Sequence, residues 1–160
     1  MKRRHMTVLG ATVCLTALAA VAVIALPASG TAPPGSAFFT KLDGEHSVPH
    51  ADPDGYGTFS ASFSGTKLCY GLQVFKIGAG PLTAHIHQAP VGANGPIKVG
   101  LNVPSSGVAG ASAACTTLTT TLANAIKANP HAYYVNVHTN AFPNGAIRGQ
   151  LFQATAGQDQ

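Results

Sequence analysis

Charge is scarce in this chain and unevenly placed. Of its 160 residues, nine are Lys or Arg and five are Asp or Glu, for a formal net charge of +4. Lys2, Arg3 and Arg4 supply three of those positive charges, so the remainder is close to +1. A near-neutral domain offers no basic footprint for nucleic acid or anionic lipid. Nucleic-acid partners are therefore not expected.

The usual catalytic constellations are missing too. There is no Gly-x-Ser-x-Gly elbow for a nucleophilic serine and no Gly-rich loop to cradle phosphate. Asp52-Pro53-Asp54-Gly55 carries a fragment of a calcium-loop pattern without the remaining ligands, so a turn is expected there. Asp43 and Glu45 are close enough in sequence to pair, but no motif fixes their geometry. No internal repeat and no second domain are visible. Cysteine is limited to Cys14, Cys69 and Cys115. These absences argue for a non-catalytic module.

What is present begins with an export pattern. The basic residues 2–4 precede an uncharged apolar run from Val8 to Leu26, followed by Pro27, Ala28, Ser29 and Gly30. A basic start, an apolar stretch and a small-residue exit are the parts of a secretory signal. Residues 1–30 are read as that signal, with cleavage after Ala28 or Gly30. The rival reading is a retained anchor, since roughly 18 apolar residues can span a bilayer; only then is a membrane association expected. Cys14 lies inside the run behind Val13, which is too large for a usual lipoprotein site. The expected location is secreted or cell-surface. In that oxidising setting the two remaining cysteines, Cys69 and Cys115, can form only one intramolecular disulfide. Such a bridge stabilises by roughly 4 kcal/mol on the chain-entropy argument. Two buried free thiols are the alternative.

The rest reads as strands. Residues 31–37 form a linker and 38–152 the folded domain, followed by a polar, frayed tail at 153–160. Ala37 to Leu42 is a candidate first strand, and residues 43–57, dense in Gly and Pro, a loop. Thr58 to Ser64 alternates, with Phe59, Ala61 and Phe63 on one face; Lys67 to Ile77 alternates again, with Leu68, Tyr70, Leu72 and Val74 together. Gly65-Thr66 makes them a hairpin. Leu82 to Gln88 and Ile97 to Leu101 flank a turn at 93–96. A Gly/Ser-rich stretch then leads to Cys115. Leu118, Leu122 and Ile126 mark a short helix near 119–128 ending at Asn129-Pro130. Ala132 to Thr139 and Ala146 to Phe152 flank the turn Phe142-Pro143-Asn144-Gly145 and are expected to pair.

The polar residues of three of these strands share parity. His85 and His87 lie on one face of their strand, Asn136 and His138 on one face of theirs, and Arg148 and Gln150 on one face of the last. The opposite faces carry Ile86; Val135 and Val137; Ile147 and Leu151. One sheet face could then gather all six. Three readings stand open. The first is a metal or ligand site on His85, His87 and His138, supported by Asn136, Arg148 and Gln150; neutral imidazole suits copper, zinc or nickel. The second is a hydrogen-bonded structural network tied by Arg148 and the amides. The third is the solvated face of a sheet. Arg148, permanently charged, is a poor metal ligand and serves as an anion partner or as an anchor behind the ligands. His46, His50 and His131 fall in loops and are read as surface residues.

AHIH at 84–87, GANGPIKVGL at 92–101, YYVNVHT at 133–139 and FPNGAIRGQL at 142–151 resemble the successive signatures of the chordin-type (CHRD) domain. LDGEHSVP at 42–49 is similar to the family's opening motif and KLCY at 67–70 to its second strand. The likeness covers about 38–152, and His50 departs from it where a second Pro is more usual. The many short strands punctuated by Gly and Pro indicate an all-β, antiparallel sandwich or barrel, immunoglobulin-like or superoxide-dismutase-like, with one short helix. CHRD domains occur as repeats in chordin, a secreted antagonist of bone morphogenetic proteins, and singly in exported bacterial proteins; this chain resembles the second group. The growth-factor role is not carried over, because function belongs to sites rather than folds. HIHQ at 85–88 is also similar to the histidine pair of Cu/Zn superoxide dismutase, although no bridging His and ligand Asp accompany it here. The primary expectation is a non-catalytic extracellular binding or structural module with an extracellular protein or small-ligand partner. The alternative is a copper- or zinc-binding protein.

Overall fold

The structure, a computed structural model, describes residues 37–78 and 81–154. The expected export signal and all but the last residue of the expected linker lie outside these residues, as do residues 155–160 of the tail. In chain order the elements are β1 (Ala37–Asp43), β2 (Tyr56–Ser64), β3 (Lys67–Phe75), β4 (Pro81–Gln88), β5 (Ile97–Leu101), β6 (Ala109–Thr117), α1 (Thr120–Ala128), a 3-10 turn (Pro130–Ala132), β7 (Tyr133–Thr139), β8 (Ile147–Gln150) and β9 (Phe152–Gln153). Among the described residues, no helix is long and apolar enough to cross a membrane.

Alternation explains the first strands. Phe59, Ala61 and Phe63 of β2 and Leu68, Tyr70, Leu72 and Val74 of β3 are buried, while Ser60, Ser62 and Ser64 are exposed. A period of two puts one side of a strand on the core and the other in water. The two strands pair along their full length, from Tyr56 opposite Phe75 to Ser64 opposite Lys67. Gly65 takes a positive φ of 63° at the two-residue turn, where glycine has no Cβ penalty.

Every strand pairing is antiparallel, and the sheet runs β5-β4-β7-β8-β1-β2-β3-β6, with β9 also on β1. The sheet curls into a nearly closed barrel. Its two edges approach where Ser112 Oγ of β6 donates to the Asn102 carbonyl just beyond β5, at 2.8 Å. Asn102 N–H in turn donates to the Tyr70 hydroxyl at 2.7 Å. Phe59, Leu72, Val74, Val135, Val137 and Ile147 fill the interior without measurable exposure. Helix α1 starts where the leucine spacing places it: Thr119 caps it by accepting from Leu122 N–H at 3.3 Å. Ala123 and Ile126 are its buried residues. It is tied to the β2–β3 turn through Leu118 N–H to Thr66 O, at 3.0 Å.

Three expectations need correction. The Gly/Ser-rich stretch before Cys115 contains β6, a nine-residue strand paired with β3 throughout. It escapes a search for alternation because none of its residues is buried; its small side chains sit on an edge, and the pairing is a backbone matter. The last run does not continue unbroken: β8 ends at Gln150 and β9 begins at Phe152. The start of the expected tail is paired, since Gln153 lies opposite Phe38 and Ala154 N–H donates to Ala37 O at 2.9 Å. Cys69 and Cys115 are disulfide-bonded, 46 residues apart in sequence and directly opposite each other on β3 and β6. The bridge staples to the barrel an edge strand with almost no hydrophobic anchor of its own.

Candidate metal centre on the outer face of the barrel

Two rows of side chains cross β4, β7 and β8. His85, Asn136 and Arg148 stand opposite one another in register, as do His87, Tyr134 and Gln150. Directly opposed residues of an antiparallel pair share a face. Thr83 faces His138, which extends the same surface. Ala84, Ile86, Val135, Val137 and Ile147 point the other way, into the core. The polar set therefore sits on the outside of the barrel.

It is nevertheless not a solvated face, and that reading is corrected. Arg148 is 2% exposed and Tyr134 1%, and His87, Asn136 and Gln150 are also buried. The segment between β4 and β5 folds back over them. Gln150 Nε2 donates to the Ala89 carbonyl at 2.8 Å and to that of His131 at 2.6 Å. Arg148 donates to the Pro90 carbonyl at 3.2 Å and to Asn94 Oδ1 at 3.4 Å, and its guanidinium carbon lies 3.5 Å from the Tyr134 ring centroid. Gly95 N–H donates to the Tyr134 hydroxyl at 3.2 Å. The opening loop holds the same segment from its far side, as Asn94 Nδ2 donates to Val48 O at 2.8 Å. Gly95 must be glycine, because a Cβ there would sit 1.9 Å from the Gln88 carbonyl oxygen.

Beside this latched region the three histidines converge. Ring centroids are separated by 5.5 Å (His85–His87), 5.2 Å (His85–His138) and 5.8 Å (His87–His138). One ring nitrogen from each lies within 4.8 Å of the others. His87 Nδ1 is 2.9 Å from the Gly95 carbonyl and His138 Nδ1 is 2.9 Å from the Pro143 carbonyl. A carbonyl only accepts, so each Nδ1 carries the proton and each Nε2 is left with a bare lone pair. Among the described residues, the buried side-chain N and O atoms without a hydrogen-bond partner are His85 Nδ1, His87 Nε2, His138 Nε2 and Asn136 Oδ1. All four belong to this patch. Leaving a buried polar atom unsatisfied costs about 1–3 kcal/mol, so their concentration in one place calls for an explanation.

The electrostatics favour the neutral form of His85 and His87. Burial lowers the His85 pKa from its ordinary 6.5, and the neighbouring His138 and His87 lower it further. Burial is also the main cause of a lowered His87 pKa; the Gly95 hydrogen bond opposes it, while His138 and the Arg148 charge add to it. Neutral imidazole is the form that binds metal. Three nitrogens each about 2 Å from one ion lie roughly 3.5 Å apart, so the rings need close by only about 1 Å. His85 and His138 are half-buried, and Gly100, opposite His85 on β5, brings no side chain over it. The cluster is open on that side.

The six residues named from parity thus share one surface but divide into two groups. His85, His87, His138 and Asn136 form the unsatisfied group, and Arg148 and Gln150 belong to the latch. Arg148 packs on Tyr134 and bonds Pro90 and Asn94. Sequence reasoning missed Tyr134, which has the same parity as Asn136 and His138 and stacks on His87 at 4.9 Å. It also missed the Gly95 and Pro143 carbonyls, which as backbone atoms leave no side-chain signal. His46 and His131 lie apart from the cluster: exposed His46 bonds Asp43 Oδ1 at 2.6 Å, and His131 packs edge-on against Phe152. Asp52 is a turn residue, its Oδ1 accepting from Asp54 N–H and Gly55 N–H.

A nearly closed antiparallel barrel with a histidine-bearing outer face is the class of protein that fold and site define. The CHRD-domain family profile matches residues 38–151, and the chain belongs to the CHRD family. No curated protein and no solved structure matches it.

Proposed function

We propose that this CHRD domain is an exported, non-catalytic binding module that holds one transition-metal ion, copper or zinc, on His85, His87 and His138. The observation that carries this reading is the set of three ring nitrogens, buried and without partners, on histidines of which two have their tautomers fixed by backbone carbonyls. Metal-binding histidines characteristically donate their second nitrogen to such a carbonyl. A purely structural network would have satisfied these atoms instead. Export is supported by the Cys69–Cys115 disulfide, which persists in oxidising compartments.

The test is elemental analysis of the untagged protein purified from the periplasm or medium, with metal titration of the stripped form. About one equivalent of copper or zinc is expected, falling to none in His87→Ala. Absence of binding at micromolar metal would refute the proposal and leave a purely structural module.

A further inference from the structure

The charges around the three histidines bear on which ion they take. The cluster contains no carboxylate and no thiolate among the described residues; its donors are three imidazoles, which as ligands bring no negative charge. The fixed charge behind them is positive: Arg148 packs on the Tyr134 ring, and Tyr134 packs on His87. The guanidinium is thus one aromatic ring away from a ligand. It is 2% exposed, so water screens it poorly, and the oxygens that receive its hydrogen bonds, on Pro90 and Asn94, are uncharged.

We propose that the site is selective for monovalent copper over divalent ions, and that Arg148 sets the preference. The inference rests on the metal-binding reading above. Ligands that bring no negative charge leave the ion's full charge in place, and a buried cation nearby penalises two charges twice as much as one. At roughly 8–10 Å and an effective dielectric near 20, each extra unit of charge changes the equilibrium on the order of tenfold or somewhat more. Cuprous ion, with its single charge, accepts three nitrogen donors and needs no counter-anion. Zinc is almost always four-coordinate and must add water or an anion to these three ligands.

The experiment measures two affinities in the purified, disulfide-intact protein: cuprous ion by competition with bicinchoninate under ascorbate, and zinc by competition with a chromophoric chelator. Cuprous ion is expected to bind at one equivalent and at least tenfold more tightly than zinc. Arg148→Gln is expected to narrow that ratio about tenfold, chiefly by strengthening zinc, whereas Arg148→Lys keeps the charge and holds it. Zinc binding as tightly as cuprous ion in the wild type overturns the selectivity while leaving the metal site standing. An unchanged ratio in folded Arg148→Gln overturns the role of Arg148. If neither ion binds the wild type, the metal site itself is wrong and the selectivity falls with it. The wild-type ratio decides the preference even where the buried substitution unfolds the chain.

Discussion

The outer surface of β4, β7 and β8 carries two polar patches side by side, and they differ in how their hydrogen-bonding capacity is met. Tyr134, Arg148 and Gln150 are covered by the β4–β5 segment and bonded to it through Ala89, Pro90, Asn94 and Gly95. His85, His87, His138 and Asn136, on the same face, hold every buried side-chain polar atom that lacks a partner among the described residues. Burial is therefore not what separates them, since His87 and Asn136 are as inaccessible as Gln150. The difference lies in what folds back over each. One patch receives carbonyls aimed at its donors. In the other, the Gly95 and Pro143 carbonyls engage only the outer nitrogens of His87 and His138 and leave the inner lone pairs free. One patch has the character of a fastening and the other that of a receptacle.

The largest effects should come from exchanging the roles of the two patches. Arg148→Met is expected to lower the unfolding free energy by about 2–4 kcal/mol, because it removes charge-assisted hydrogen bonds and a cation–π contact from a buried position. His138→Ala is expected to abolish metal binding while changing the stability of the metal-free protein by only about 1 kcal/mol, since it removes one exposed hydrogen bond, from Nδ1 to the Pro143 carbonyl, together with an Nε2 that had no partner. Urea unfolding and metal titration of both variants make the comparison. If His138→Ala costs as much stability as Arg148→Met, the histidines belong to the structural network after all.

A smaller effect probes the seam between the patches. Gly95→Ala must displace the backbone from Gln88, and with it the carbonyl that holds the His87 proton on Nδ1. All three histidines remain, yet metal affinity is expected to fall about 10–100-fold, the usual consequence of losing a group that orients a ligand. Unaltered affinity in a folded variant would show that the Gly95 carbonyl does not prepare the site.

The smallest effect is on pH dependence. His85 and His87 have folded-state pKa values below 6.5, so below that value the unfolded chain binds more protons than the folded one. Metal-free stability should thus decline as pH falls from about 6.5 toward the folded values, and level off once both states are protonated. The His85→Ala/His87→Ala double variant should lose most of that slope over pH 7.5 to 5.0 in urea melts. A slope identical to wild type would assign the effect to other groups.

Much of the fold was legible because burial leaves a pattern. Phe59, Ala61 and Phe63, and Leu68, Tyr70, Leu72 and Val74, announced two strands by their spacing, and Leu122 and Ile126 announced the helix. β6 left no such trace: Ala109–Thr117 contributes backbone to β3 and almost nothing to the core. The same limit applied at the site. Parity alone placed His85 with His87, and Asn136 with His138. It could not show that the sheet face they share is roofed, because the roof is held by backbone carbonyls of residues that read only as a turn.

Composition and alternation by themselves determined that this is an all-β domain with one pair of cysteines to bridge and three histidines on like-facing positions of two strands. These are local properties: a strand's period of two is set by its own backbone, wherever the strand lies. Tertiary structure decided that β4 lies beside β7, across more than forty residues of intervening chain, and so that His138 meets His85 and His87. It also decided which of their nitrogens found a carbonyl and which were left bare, because hydrogen bonds to backbone oxygens depend on where the chain returns and not on which side chains it carries.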